Sequence, residues 1–143
     1  MRRALIPLVA LPAAPAMADT DTTETAWHIL NQITFDERAT ETSYSVHKTF
    51  PAEIEGGDPA FEVSGYAVPM DAEGREFMLV PDIADCPFCG SSDHGVTVNV
   101  SMATPQPGLD EGQRIVLRGA LVPVHDPETW QSVILTDAVR LDA

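Results

Sequence analysis

Between Ser43 and Leu141 the apolar residues recur in short runs with a period of two, and the runs are separated by clusters of Gly, Pro, Asp and Ser. The clearest case is Val96, Val98 and Val100, which alternate strictly with Thr97, Asn99 and Ser101. Only an extended chain sends such residues alternately to a core and to water, so the pattern predicts half-buried β-strands. The same reasoning predicts strands over Ser43–Phe50, Phe61–Pro69, Arg75–Val80, Val96–Ser101, Arg114–Val124 and Trp130–Leu141. Turns or loops are expected at Gly56–Pro59, Asp71–Gly74, Pro81–Gly95, Thr104–Gly112 and His125–Glu128. Gly119 inside a long strand predicts a bulge or bend, and irregularity is expected near Asp137.

Ahead of these strands, Ala26, Trp27, Ile29, Leu30 and Ile33 have roughly helical spacing, and Asp21 with Glu24 has the spacing of a capping box. A short helix over about Thr22–Gln32 is expected, with Trp27 as a core anchor. Five or six short strands after one short N-terminal helix predict a mostly β chain, folded as a small Greek-key barrel that is OB-like.

Residues 1–18 have a different character. Arg2 and Arg3 precede the mostly apolar stretch Ala4–Ala14, and Ala16-Met17-Ala18 supplies small residues where a signal peptidase reads. This layout predicts a cleavable secretion signal over 1–18, and a single OB-like β domain over 19–143. The apolar run is shorter than the ~20 residues needed to span a bilayer, and no Cys near the cleavage point suggests a lipid anchor. With no second apolar span, no membrane insertion is expected after cleavage. The destination is periplasmic or secreted.

The 143-residue chain carries 8 basic and 22 acidic residues, a net charge of −14. The signal holds two of the basic residues and none of the acidic ones, so its removal leaves −16. Such a surface repels phosphate backbones and anionic headgroups, which excludes nucleic acid as a partner. It favours solubility and attracts cations or a basic partner only weakly.

The chemistry is concentrated in Asp85-Cys86-Pro87-Phe88-Cys89-Gly90. These are the only two cysteines, so the chain is not a disulfide scaffold. Two thiolates separated by two residues can point at one metal centre, and Gly90 lets the backbone turn beneath them. A closed zinc site needs four ligands, and no second C-x-x-C is present. His94 lies in the same loop, beside Asp93, and Asp85 precedes the pair. His125 sits in a distant turn that a barrel could bring close. The expected metal ligands are Cys86, Cys89 and His94, completed by Asp93, Asp85, His125 or water, with zinc as the cofactor.

Two other readings stand beside this one. In an oxidising compartment Cys86 and Cys89 can close a structural disulfide that only fixes the loop of a non-enzymatic interaction module. A thiol-disulfide redox protein is the third. Against it, the pair is followed by a loop and a strand rather than a helix, and Asp85 and Asp93 would raise the thiol pKa. His28 and His47 fall within the helix and the first strand and are expected to be ordinary surface or half-buried residues. Ser64, Ser101 and Ser132 lack the context of a hydrolase nucleophile, and no phosphate-binding Gly loop occurs. No enzyme activity is expected.

Val63-Ser64-Gly65-Tyr66-Ala67-Val68-Pro69-Met70, then Glu76-Phe77-Met78-Leu79-Val80-Pro81, then Cys86, resembles the exported bacterial domain-of-unknown-function 3299 family. There a "GY-x-x-P-hydrophobic" strand leads to an "F-x-L" strand and a Cys-bearing loop. Phe50-Pro51-Ala52-Glu53-Ile54 and the Gly119 strand look similar too, so the resemblance covers most of Trp27–Leu141. Many members follow the Cys with His and a Pro-rich run, where this chain has Cys86-Pro87-Phe88-Cys89-Gly90 and His94. The resemblance implies an OB-like exported domain with an association to metal-uptake systems. The partner it implies is a membrane transport complex or another periplasmic protein. It assigns no reaction.

Overall fold

The computed structural model describes residues 20–83 and 95–142. The expected signal over 1–18 and the expected ligands Asp85, Cys86, Cys89, Asp93 and His94 lie outside the described residues.

The helix α1 runs Thr20–Leu30 and ends in a tighter turn, with Gln32 N–H donating to Ile29 O and Ile33 N–H to Leu30 O. It therefore starts and stops two residues earlier than the spacing predicts, and Asp21 lies within its first turn rather than at its cap. Ala26, Trp27, Leu30 and the following Ile33 are buried. The i, i+3, i+4 spacing places them along one stripe, and that stripe joins the main core. Two strands follow, β1 (Thr34–Ala39) and β2 (Tyr44–Thr49), paired antiparallel as a separate hairpin. Then come the one-turn helix α2 (Ala52–Glu55), β3 (Asp58–Pro69), β4 (Glu76–Val80), β5 (Val98–Met102), β6 (Arg114–Pro123) and β7 (Val133–Arg140).

The last five strands close into a barrel in the order β3-β4-β5-β7-β6. All pairings are antiparallel except β5 with β7, which is parallel. A long first strand shared between two neighbours, with the third and fifth strands paired in parallel, defines a mostly β, OB-like barrel with one short helix near its N-terminus. Inward positions alternate as the period of two requires. Phe61, Val63 and Ala67 on β3, Phe77 and Leu79 on β4, Val98 and Val100 on β5 are all buried. Leu117, Leu121, Val133 and Leu135 complete the ring from the other side. Trp27 reaches this core from α1, and its Nε1–H donates to Ser64 O at 2.7 Å.

Gly119 does mark an irregularity. The β6–β7 register shifts between Arg118 and Ala120, and Asp137 opposite adopts φ 50°. A Cβ at Gly119 would fall 2.7 Å from Thr136 O, so the strands approach there more closely than any side chain permits. The expected turn at Gly56–Pro59 is shorter than predicted, since β3 already begins at Asp58. Its register slips between Asp58 and Phe61, and Pro59, which has no N–H to give, sits in that slip. The strand β1 was not among those predicted. Its sequence TFDERA offers one large apolar residue and no alternation, and its conformation comes from pairing with β2.

Candidate functional site

The ends of the cysteine-bearing segment are fixed by a ladder. Strands β4 and β5 pair antiparallel with Leu79 opposite Val98, so the chain leaves the barrel after Val80 and rejoins it at Val98 at one and the same end. Val96, just before β5, is buried, which anchors the returning side.

A second connection lies at that end. Val98 is opposite Val133 in the parallel β5–β7 pair, and Val133 is opposite Pro123 in the β6–β7 pair. Val124 N–H donates to Ser132 O at 2.8 Å and extends the ladder by one step. Adjacent strands lie ~4.8 Å apart, so Pro123 stands about 10 Å across the sheet from Val98. His125 is two residues beyond Pro123. The fold thus brings the distant His125 to the barrel end at which β4 stops and β5 starts, which its sequence position, 27 residues after Val98, does not reveal. The His125 side chain is exposed, and its ring meets Phe50 edge-on at 5.1 Å and 73°.

The β1–β2 hairpin clasps this second connection. Val46 is fully buried, and its N–H donates to Pro127 O at 2.7 Å. Lys48, on the same hairpin face, donates from Nζ to three carbonyl oxygens of the connection: Asp126 at 2.9 Å, Thr129 at 2.9 Å and Gln131 at 2.7 Å. Burial pushes the Lys48 pKa down, against the opposing pull of the Asp126 charge. Phe35 packs on Trp130 with ring centroids 5.4 Å apart, and the Trp130 indole N–H donates to the Tyr44 hydroxyl. The turn itself is tied by Glu128 N–H to Asp126 Oδ1 at 2.9 Å. The sequence gives no sign of this clasp beyond the period-two placement of Val46 and Lys48.

The remaining polar candidates are scattered. His28 on α1 and His47 on β2 are exposed, in line with the surface role expected of them. Ser64 and Ser132 are buried, and Ser64 Oγ accepts from Arg114 Nη2 at 3.0 Å. Ser101 Oγ donates to Glu76 Oε1 at 2.8 Å. Among the described residues no three His, Cys, Asp or Glu side chains gather into a metal-holding group, and no helix is long and apolar enough to cross a membrane.

Fold and register together define the class: a closed, OB-like five-strand barrel with an accessory hairpin gripping the β6–β7 connection. Comparison with protein-family models, curated proteins and solved structures finds no match.

Proposed function

We propose that this chain is an exported accessory protein that binds a transition metal, zinc, through Cys86, Cys89 and His94, with His125 as the fourth ligand. Two thiolates and two imidazoles form a donor set that suits tetrahedral zinc. The observation that carries the choice of His125 over Asp85 or Asp93 is the register Val98–Val133–Pro123. His94 precedes Val98 by four residues, a chain reach of up to ~14 Å, which exceeds the span of about 10 Å between β5 and β6. In OB-like barrels the connection between the fourth and fifth strands is a recurrent ligand-holding loop, and β6–β7 is its counterpart here. The acidic surface adds a long-range attraction for cations. A closed set of four protein ligands leaves no open position for substrate, which fits a non-enzymatic role in carrying metal or in a metal-stabilised contact with a membrane transport complex.

The test is metal and thiol analysis of protein purified from its exported compartment without chelator. One zinc per chain is expected, absent in Cys86→Ser, with affinity lowered more than about tenfold in His125→Ala. Metal-free protein with a Cys86–Cys89 disulfide would leave instead an interaction module with a covalently fixed loop. Free thiols with an exchange-catalyst potential would point to redox work.

A further inference from the structure

We infer that the exposed Tyr44–Trp130 pair, with the Glu37 carboxylate beside it, is a docking surface for an arginine-bearing basic segment of a partner protein. This surface is independent of the metal reading. Residues on one face of a strand recur every second position, and directly opposed residues of an antiparallel pair share a face. Phe35 is opposite Lys48, Glu37 opposite Val46 and Ala39 opposite Tyr44, so Phe35, Glu37 and Tyr44 lie on the hairpin face that meets the β6–β7 connection. Trp130 of that connection packs on Phe35 and donates its indole N–H to the Tyr44 hydroxyl, so it lies along the row that Glu37 occupies. Trp130 and Tyr44 are nevertheless 39% and 43% exposed, as large aromatic surfaces held in orientation by their mutual contact. Tyr and Trp are favoured anchors of protein interfaces, because they bring large contact area and lose little freedom on binding. Charge decides the partner. Lys48, the cation that the register places on this face, is engaged by three carbonyl oxygens, and Arg38 pairs with Asp36 on the opposite face. Among the described residues Glu37 is exposed and pairs with no cation, and the exposed Glu128 sets a second carboxylate two residues before Trp130. A guanidinium suits both features at once: its plane stacks on an aromatic face and its N–H groups pair with a carboxylate. The net charge of −14 steers a cationic segment toward the protein and repels an acidic one.

The experiment titrates the full chain at low salt with a blocked glycine-arginine pentapeptide carrying two arginines, and follows the two tryptophan indole N–H resonances by NMR. The Trp130 resonance is expected to shift saturably, and that of the buried Trp27 to stay in place. The same peptide with citrulline, which keeps the planar shape and loses the charge, binds at least about fivefold more weakly. Glu37→Gln weakens binding roughly three- to fivefold, whereas Glu73→Gln, the same loss of charge in the β3–β4 turn, has less than about a twofold effect. Trp130→Leu weakens it at least about fivefold. Because Glu37 is exposed, its variant reports even where loss of the Trp130–Phe35 contact unfolds the hairpin. No shift at millimolar peptide, equal binding of the citrulline peptide, or equal losses in Glu37→Gln and Glu73→Gln would each overturn the inference. It is overturned too if neutral maltotetraose moves the Trp130 resonance and the arginine peptide does not, which makes the surface a sugar platform. Movement of that resonance on simple dilution of the chain, with no effect of peptide, makes a second copy the occupant and overturns it as well.

Discussion

Trp27 and Gly65 show how single positions hold the barrel shut. The Trp27 ring enters the core from α1, and its indole N–H satisfies the Ser64 carbonyl. Trp27→Ala removes both, and is expected to cost about 3–5 kcal/mol. Trp27→Phe keeps most of the packing but removes the hydrogen bond to the Ser64 carbonyl, and about 0.5–1.5 kcal/mol is expected. Urea denaturation of both variants checks the order; equal losses would show that the hydrogen bond, not the volume, carries the cost. Gly65 leaves room for this ring: a Cβ there would lie 2.6 Å from Val80 O and 3.2 Å from Trp27 Cζ2. Gly65→Ala is therefore expected to destabilise by roughly 1–3 kcal/mol through overpacking, seen as a lower urea midpoint with an unchanged slope. That Trp27 is a core anchor follows from its helical spacing. The need for glycine at 65 does not, because a period-two strand pattern carries no information on how near a neighbouring backbone passes.

At the scale of elements, the turn between β3 and β4 has a built-in acid sensitivity. The Asp71 carboxylate accepts from the N–H groups of Arg75, Glu76 and Glu73 at 3.0, 3.0 and 3.1 Å. The Arg75 bond is the chief cause that holds its pKa below the usual value, with the other backbone bonds adding to it. A carboxylate depressed on folding contributes stability that is complete above its unfolded pKa and is lost as pH falls through the folded one. The turn should thus hold at pH above ~4 and loosen below it, with the Arg75 and Glu76 amide resonances following one titration. In Asp71→Asn those resonances should lose the titration, and their persistence would show that another carboxyl is responsible. The element least legible in the sequence is β1. Asp36, Glu37 and Arg38 give it no apolar face, and it is a strand because β2 supplies its hydrogen-bond partners. β5, with its strict alternation, and β4, a short apolar run buried from Phe77 to Val80, are close to their predicted bounds because each local residue choice agrees with burial in the barrel.

The whole molecule is dominated by one sign of charge. With a net charge of −14, mutual repulsion among carboxylates opposes compactness. Raising ionic strength from ~0.01 to ~0.15 M shortens the screening length from about 30 to about 8 Å, so the melting temperature of the metal-free chain should rise by a few degrees. A melting temperature that falls with salt would mean that ion pairs such as Arg118–Glu62 outweigh the repulsion. Zinc present at about 100 times its dissociation constant should add ~2.7 kcal/mol, lost on chelation and absent in Cys86→Ser. The sequence alone fixed the class of strand-built barrel, the faces that turn inward and the cysteine pair with its nearby His94, since side-chain periodicity and motif spacing are local properties. Only the tertiary structure decided which strands meet, that β5 and β7 run parallel, that the hairpin grips the β6–β7 connection through Lys48, and that His125 follows β6 at the barrel end where β4 stops and β5 starts. The reason is that alternation tells a residue which side to face but not which distant partner it will find there; closing a barrel sets that by register, across separations on which no local pattern depends.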